Sequence, residues 1–327
     1  MGFSLEKKAA LSAQLRENVL SKDDGLIKSA ATASNDYFRV EIRENGIRRQ
    51  ITPPEAITAA DFDKSENTDF PIKYIEVAPQ SLGAYTVSFE TGPKGDNIMA
   101  RRTRAEFGRL MTPKYSIDEI RLLTYDMPLI DIWEDLMLKD IMDTEDTVWQ
   151  NVDKVICGTL NTPMPSMGMC RYCDIGPMSR ASLTLLKQGM SYTQAGPLGQ
   201  GLIPQKYVMN QLTYAKFANF NRNEIGGDLA QDLFVDGVNL SKVSGVDMVV
   251  TTKRDIIGTD EVFVYTDPQF YGKFYTYEDV TMVTDKKDGY WLSFHMYETI
   301  GGAIGNIAGV LRAKFGTGAA HDWITGA

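Results

Sequence analysis

Cysteine and histidine are the residues of this chain best able to bind a metal ion or do redox chemistry, and both are scarce. Cys170-x-x-Cys173 has half of the spacing of a zinc site, but the other candidate ligands, Cys157, His295 and His321, form no second pair. The pair lies in a stretch rich in Met, Gly and Pro, not at the start of a helix, where a redox pair would be activated. We predict that the thiols are free and partly buried and that no metal is bound. The alternative is a metal- or redox-dependent enzyme that uses Cys170 and Cys173.

Two glycine clusters superficially resemble loops that hold a phosphate group. Gly196-x-x-Gly199-x-Gly201 runs into the extended segment LIPQKYVM and not into a helix. The cluster that begins at Gly301-Gly302 follows a predicted strand, but too little chain remains after it for a nucleotide-binding βαβ unit. We predict turn or close-packing glycines at both places. The sequence also lacks the motifs of serine hydrolases and zinc proteases, so we predict no catalytic residues, no cofactor and no enzyme activity.

The composition describes an ordinary folded chain of 327 residues, 43% of them hydrophobic and 24% charged. Its net charge of −9 makes it a poor general binder of nucleic acid or anionic membranes. The longest apolar stretch, 301–311, is about half the length of a membrane span, and the N-terminus lacks the apolar run of a secretory signal. We expect no membrane association, and the few cysteines favour folding in a reducing cytoplasm.

A long basic ribbon is the first distinctive element of the sequence. Residues 84–90 alternate apolar and polar side chains, a turn-forming segment follows, and 98–111 is a second extended candidate. Residues 90–114 contain six basic and three acidic side chains, a net charge of +3. An isolated hairpin of this length is marginal in water, so it needs a surface to lie on. The preceding residues 1–36 are predicted to be an arm, whose Leu11, Leu15 and Val19 give too narrow a stripe to fold alone.

A long acidic helix, predicted over 128–157, is the second distinctive element. A cap at Asp126 precedes an apolar stripe that recurs at steps of three, four or seven from Ile130 to Val155. Residues 126–153 contain nine acidic side chains and one basic one, a net charge of −8. We expect most of these acids on the arc away from the apolar stripe. They form either a solvated face or a surface that receives the basic ribbon.

The rest of the chain alternates helices and strands, with a helix predicted to be capped by Ser179 and strands at 206–209, 246–252, 261–266 and 290–300. This alternation indicates a mixed layered body.

The order of these elements resembles that of the major capsid proteins of tailed bacteriophages, whose shared architecture is called the Hong Kong ninety-seven fold. The resemblance covers about residues 70–315. It is carried by RRTRAEFGRLMTPKYSIDEIRLLTYDMP running into PLIDIWEDLMLKDIMDTEDTVWQNVDKVICG, and then by SRASLTLLKQGM, QKYVMNQLTYAKFANF, KVSGVDMVVTTKR and the closing segment from VFVYTDPQFYGKFYTYEDV onward.

The resemblance implies an α+β, Hong Kong ninety-seven-like capsid fold with an N-terminal arm, an extended β-hairpin loop, a long spine helix, and peripheral and axial domains. The implied boundaries are 1–36 for the arm, 83–117 for the extended loop, 37–82, 118–177 and 289–327 for the peripheral domain with its spine helix 128–157, and 178–288 for the axial domain.

The function implied is that of a major capsid protein, which self-assembles through hexamers and pentamers into the icosahedral head shell of a tailed bacteriophage. The shell would enclose double-stranded DNA without sequence-specific binding, would be assembled in the host cytoplasm and would form part of the virion. Implied partners are further copies of the chain, a separate scaffolding protein, a portal and, as a further candidate, a decoration protein. An encapsulin-like bacterial nanocompartment shell around cargo enzymes is the alternative.

The candidate inter-subunit contacts combine the basic side chains of the ribbon with acids of the long helix. They are Lys94, Arg101, Arg102, Arg104 and Arg109 on the ribbon, and Glu134, Asp135, Asp143 and Asp146 on the helix.

Overall fold

A computed structural model of the chain describes residues 46–64, 68–77, 101–124, 129–164, 169–192, 201–219, 242–287 and 290–317. The predicted arm, the first strand of the ribbon and Lys94 lie outside the described residues. The chain divides into two compact units. The first comprises Met1–Lys73, Ala105–Trp149 and Phe274–Gly302, and the second comprises Tyr74–Arg104, Gln150–Lys273 and Ala303–Ala327.

A six-stranded sheet forms the frame of the first unit. Its strands are β1 (Glu55–Ala56), β2 (Ile72–Val77), β3 (Arg101–Met111), β4 (Tyr115–Asp118), β12 (Gly272–Lys287) and β13 (Trp291–Ile304). They are arranged in the order β1-β12-β13-β3-β2, and β4 also pairs with β13. Antiparallel pairing places Tyr297 opposite Met111 and Trp291 opposite Asp118, so β13 pairs with β3 and β4 in succession. The first unit also contains two short helices, α1 (Ile47–Ile51) and α2 (Glu119–Thr124).

The long helix, α3, runs from Leu129 to Cys157, so the helix predicted over 128–157 is confirmed. Its 29 residues give a rod of about 44 Å. The N-terminal half packs its apolar stripe against side chains of β12 and β13, among them Val280 and Phe294, to form the core of the first unit.

The second unit contains another six-stranded sheet. Its strands are β7 (Tyr172–Asp174), β8 (Pro204–Asn210), β9 (Lys242–Val243), β10 (Val246–Thr251), β11 (Glu261–Thr266) and β14 (Val310–Lys314). They are arranged in the order β7-β14-β11-β8-β10-β9. A two-stranded sheet joins β5 (Pro163–Met164) to β6 (Met169–Cys170). The helices are α4 (Arg180–Ser191), α5 (Gln211–Ala215) and α6 (Pro268–Tyr271), and single turns of 3₁₀ helix occur at Ala59–Asp61, Lys216–Asn219 and Ile307–Gly309.

Helix α4 begins where the sequence predicts, because Ser179 accepts a hydrogen bond from the backbone N–H of Ser182. Its side chains Leu183, Leu186 and Met190 pack on the second sheet. The predicted strand at 261–266 is confirmed at the same bounds.

The domain boundaries implied by the resemblance stay a prediction, and strand pairing is a separate observation. Strand β12, most of which lies within 178–288, pairs in the first sheet. Strand β14, within 289–327, pairs with β7 and β11 in the second sheet. Residues 106–111 of the predicted loop are ordinary ladder residues of the first sheet. The chain therefore crosses between sheets inside segments that look uniform in sequence.

Candidate inter-subunit surface

The described strand of the basic ribbon presents arginines to solvent. Arg102 and Arg104 have exposed side chains on β3. Arg102 forms an ion pair with Glu76 of β2, with Nη2 2.9 Å from Oε1, and both side chains are about two-thirds exposed. Such an exposed pair contributes little to stability, so it leaves the arginine available to a stronger partner. Only the backbone of Arg101 is described, and Lys94 lies outside the described residues.

Arg109 is held within its own unit. Its Nη2 donates to Glu278 Oε2 at 2.9 Å, and the guanidinium lies 5.1 Å from the ring centroid of Tyr297. The same carboxylate oxygen accepts a hydrogen bond from Thr299 Oγ1 at 2.7 Å. The position of Arg109 is therefore fixed by neighbouring strands of the first sheet.

Arg109 lines a groove of about 660 Å³ within the first unit. The end of β3 and the residues after it form one wall, and the middle of the long helix forms the other. The wall on the helix carries Asp140 and Asp143, and Met111 and Val148 add apolar surface. A groove with two carboxylates and apolar walls suits a segment that combines basic and apolar side chains.

The acids of the long helix differ in exposure. Asp135 is exposed and Asp143 is half-buried. Glu134 and Asp146 are buried. The two carboxylate oxygens of Asp146 accept hydrogen bonds from the backbone N–H groups of Ile47 at 3.2 Å and Arg48 at 2.9 Å. Asp146 thus caps the start of α1 inside its own unit.

The C-terminal half of the long helix reverses the usual arrangement of polar and apolar faces. Ile130, Met137 and Ile141 are 3%, 0% and 2% exposed. The same stripe continues at helical spacing through three valines that are 51%, 40% and 78% exposed, Val148, Val152 and Val155. We refer to these three exposed residues, Val148, Val152 and Val155, as the valine row.

The face that the C-terminal half buries is polar instead. In the second unit, Asp153 Oδ2 accepts a hydrogen bond from the hydroxyl of Tyr265 at 2.8 Å, and its Oδ1 accepts one from Tyr271. The same Tyr265 hydroxyl lies 3.3 Å from Gln150 Oε1. These hydrogen bonds satisfy both carboxylate oxygens of Asp153, so the helix can bury this acid and leave the valine row exposed.

The residues that could do chemistry lie in structural positions. Cys157, Cys170 and Cys173 are fully buried. Burial raises the pKa of Cys157 to about 12, which leaves the thiol protonated and unreactive. Among the described residues, no group of three or more His, Cys, Asp or Glu side chains is placed to hold a metal ion.

Gly301 confirms the close-packing interpretation, because a Cβ atom there would lie 2.6 Å from Cδ1 of Phe107. The helices in the described ranges include none that is both long and apolar enough to cross a membrane.

Known capsid structures share this fold. The sequence matches no family model, and no curated protein is significantly similar to it. The capsid structure of cyanophage P-SCSP1u superposes with a TM-score of 0.58 at 12% identity, over 84% of this chain and 89% of that one. The capsid of a native GTA particle gives 0.54 at 11% identity over 82% and 89%. The cyanophage Pam1 capsid gives 0.53 at 12% identity over 81% and 88%. Identities this low establish the fold alone, and the predicted Hong Kong ninety-seven-like capsid fold is confirmed.

Proposed function

We propose that this chain is the major capsid protein of a tailed bacteriophage, which self-assembles into the icosahedral head shell around double-stranded DNA. The fold shared with cyanophage and GTA capsids supports a shell-forming subunit. The observation that carries self-assembly is the valine row. It continues the stripe that forms the core of the first unit but remains exposed. An exposed apolar row of this kind marks a surface that another protein covers.

The proposed occupant of this surface is a second copy of the chain. Its ribbon, residues 90–114, has a net charge of +3, and the groove beside the valine row carries Asp140 and Asp143. Opposite charges steer encounter and set register, while the apolar contacts supply most of the binding energy. Because Glu134 and Asp146 are buried in their own unit, the predicted acidic contacts narrow to Asp135 and Asp143. The groove adds Asp140 as a further proposed contact.

The two units correspond in this proposal to the peripheral and axial domains, with hexamers and pentamers as the assembly units. A separate scaffolding protein, a portal and a decoration protein are the proposed further partners, and the virion is the site of action after assembly in the host cytoplasm. The proposed role is structural and not enzymatic.

Electron microscopy of the purified protein, alone or with its scaffolding protein, tests the proposal. Closed shells, capsomers or tubes are expected. A protein that stays monomeric at high concentration under both conditions would contradict it. Native particles that contain a cargo enzyme in place of DNA would instead identify the encapsulin-like alternative.

Charge reversal tests the ribbon. Changing Arg101, Arg102 and Arg104 together to Glu should abolish assembly and leave the circular dichroism and the midpoint of unfolding of the subunit unchanged. The matched control reverses three exposed bases of the second unit, Arg180, Lys187 and Arg254, and so produces the same change in net charge. If both triple variants assemble equally well, the ribbon does not contact the acidic helix.

Placing charge on the valine row tests the apolar part of the surface. V152K with V155K should prevent assembly, because each lysine would have to be buried unpaired against the neighbouring copy. A181K with T184K is the control, since it adds the same charge at two exposed positions on a different helix, α4. Normal shells from the double variant would show that the valine row stays exposed to solvent in the particle.

A further inference from the structure

A buried charge cluster joins helix α1 to the body of the first unit. Arg49 is almost fully buried, and its Nε lies 3.1 Å from Glu145 Oε2 on the long helix. Its Nη2 donates to Glu298 Oε2 on β13 at 2.6 Å, and its Nη1 lies 3.5 Å from Asp279 Oδ1 on β12. One guanidinium therefore faces three carboxyl groups from three different elements.

The other charged groups around the cluster have partners of their own. Asp146 accepts the backbone N–H groups of α1, and Arg109 of β3 pairs with Glu278 of β12. The guanidinium of Arg48 lies 4.5 Å from the ring centroid of Trp149. The charged groups named in these contacts are Arg48, Arg49, Arg109, Glu145, Asp146, Glu278, Asp279 and Glu298. Arg49 is the cation within ion-pair distance of Glu145 and Glu298.

Glu145 and Glu298 are two buried carboxyl groups beside one cation. Their side chains are 2% and 0% exposed, and both pair with the guanidinium of Arg49. Glu298 Oε1 accepts no hydrogen bond in the described part of the chain. Two buried carboxylates beside one guanidinium repel each other, and a proton held by one of them removes this repulsion.

We propose that Glu145 and Glu298 share one proton, and that release of this proton to the solvent as the pH rises loosens α1 from the long helix and β13. Helix α1 is the first described element of the chain, so the pair acts as a pH-sensitive anchor that holds this helix on the body of the first unit. The anchor is internal to one chain and does not depend on the proposed capsid function.

The direction of the effect follows from proton binding. Burial, and then the neighbouring Glu145, raise the pKa of Glu298 from 4.5 to about 8. Between these values the closed form binds a proton that the open, hydrated form has lost. The population in which α1 is open therefore rises by about tenfold per pH unit in this window and levels off above it.

Limited proteolysis with trypsin measures this population, because Arg48 and Arg49 are buried cleavage sites. Under conditions where closing outpaces cleavage, the cleavage rate follows the open population. The new N-termini at Arg49 and Gln50 are quantified by mass spectrometry from pH 6 to 9, relative to an unstructured peptide with the same sites.

In the unmodified chain we expect cleavage to accelerate by about tenfold per unit from pH 6 to 8 and then to level off. E298Q mimics the protonated form and should remove the slope. E278Q, on the neighbouring strand, should retain it. A flat profile in the unmodified chain, or the same slope in E298Q, would overturn the proposal.

An infrared measurement keeps the proposal testable if E298Q fails to fold. The unmodified protein should show the carbonyl stretch of a protonated carboxylic acid at pH 7 and lose it by pH 9, whereas exposed carboxylates are already ionised at both values. No change in this band between the two pH values would exclude a shared proton.

Discussion

Replacing Asp146 by alanine separates a role inside the subunit from a role between subunits. The sequence predicts Asp146 as an inter-subunit contact, whereas in the structure its carboxylate accepts two backbone hydrogen bonds from the start of α1. Asp146 as a whole residue is 3% exposed. In the variant, two buried N–H donors lose their acceptor. The exposed Asp135, on the same helix, provides the matched control as D135A.

The expected loss of unfolding free energy follows from the hydrogen bonds. Leaving one buried N–H donor unsatisfied costs about 1–3 kcal/mol, and D146A leaves two such donors. Part of this cost is offset because the variant no longer buries a carboxylate. D146A should therefore lose about 3 kcal/mol of unfolding free energy. The exposed control should stay within about 0.5 kcal/mol of the unmodified chain. D146N keeps one acceptor oxygen and should fall between them.

Urea unfolding of unassembled subunits, followed by tryptophan fluorescence, measures the difference. Trp149 is a local reporter, because it lies one turn after Asp146 and its ring packs edge-on against Phe274 at 5.6 Å. With a urea m-value of about 3 kcal/mol/M, the midpoint for D146A should fall by about 1 M. A midpoint within about 0.2 M of the unmodified chain, together with lost assembly, would refute the reasoning and return Asp146 to the inter-subunit surface.

Three further predictions concern packing and buried groups. G301A should lose about 1–3 kcal/mol of unfolding free energy, because its Cβ would clash with Phe107. G108A, whose Cβ has no neighbour within 4 Å, should show no such loss. Equal melting temperatures for the two variants would contradict this prediction. Cys157, with its pKa raised to about 12, should resist maleimide at pH 8 until urea unfolds the chain, and rapid native labelling would show that it is accessible. R171M should lose about 3 kcal/mol of unfolding free energy. The reason is that Arg171 donates to the backbone carbonyls of residues 307, 308 and 310. An unchanged urea midpoint would show that those carbonyls have other donors.

Local patterns predict the elements of this chain well, because their signals lie within a few residues. The long helix is predicted within one residue, since its apolar spacing and terminal glycine agree with the observed bounds. The predicted cap, Asp126, lies outside the described residues. The strand Glu261–Thr266 is predicted at both ends by its run of β-branched and aromatic residues. These agreements concern secondary structure, for which one segment contains the required information.

The partners of charged residues could not be predicted in the same way. Arg49 and Glu298 are 249 residues apart in sequence and meet only because α1 and β13 pack together. An acid on the long helix gives no local sign of whether it faces solvent, like Asp135, or caps another helix, like Asp146. Net charge therefore located the acidic element correctly but overstated how much of it is available to another subunit.

The two halves of the long helix show why its surface has to be considered together with a second copy. A helix normally buries its apolar stripe and exposes its charges, because the opposite arrangement leaves apolar area in water. From Gln150 onward this helix buries a glutamine and an aspartate and exposes Val152 and Val155. Tyrosine hydroxyls satisfy the buried acid, so the inward polar face is stable within the chain. The outward valines, in contrast, have no such compensation in an isolated subunit. Shell assembly would supply it, and the stripe that organises the core of the first unit would then also organise the contact between copies.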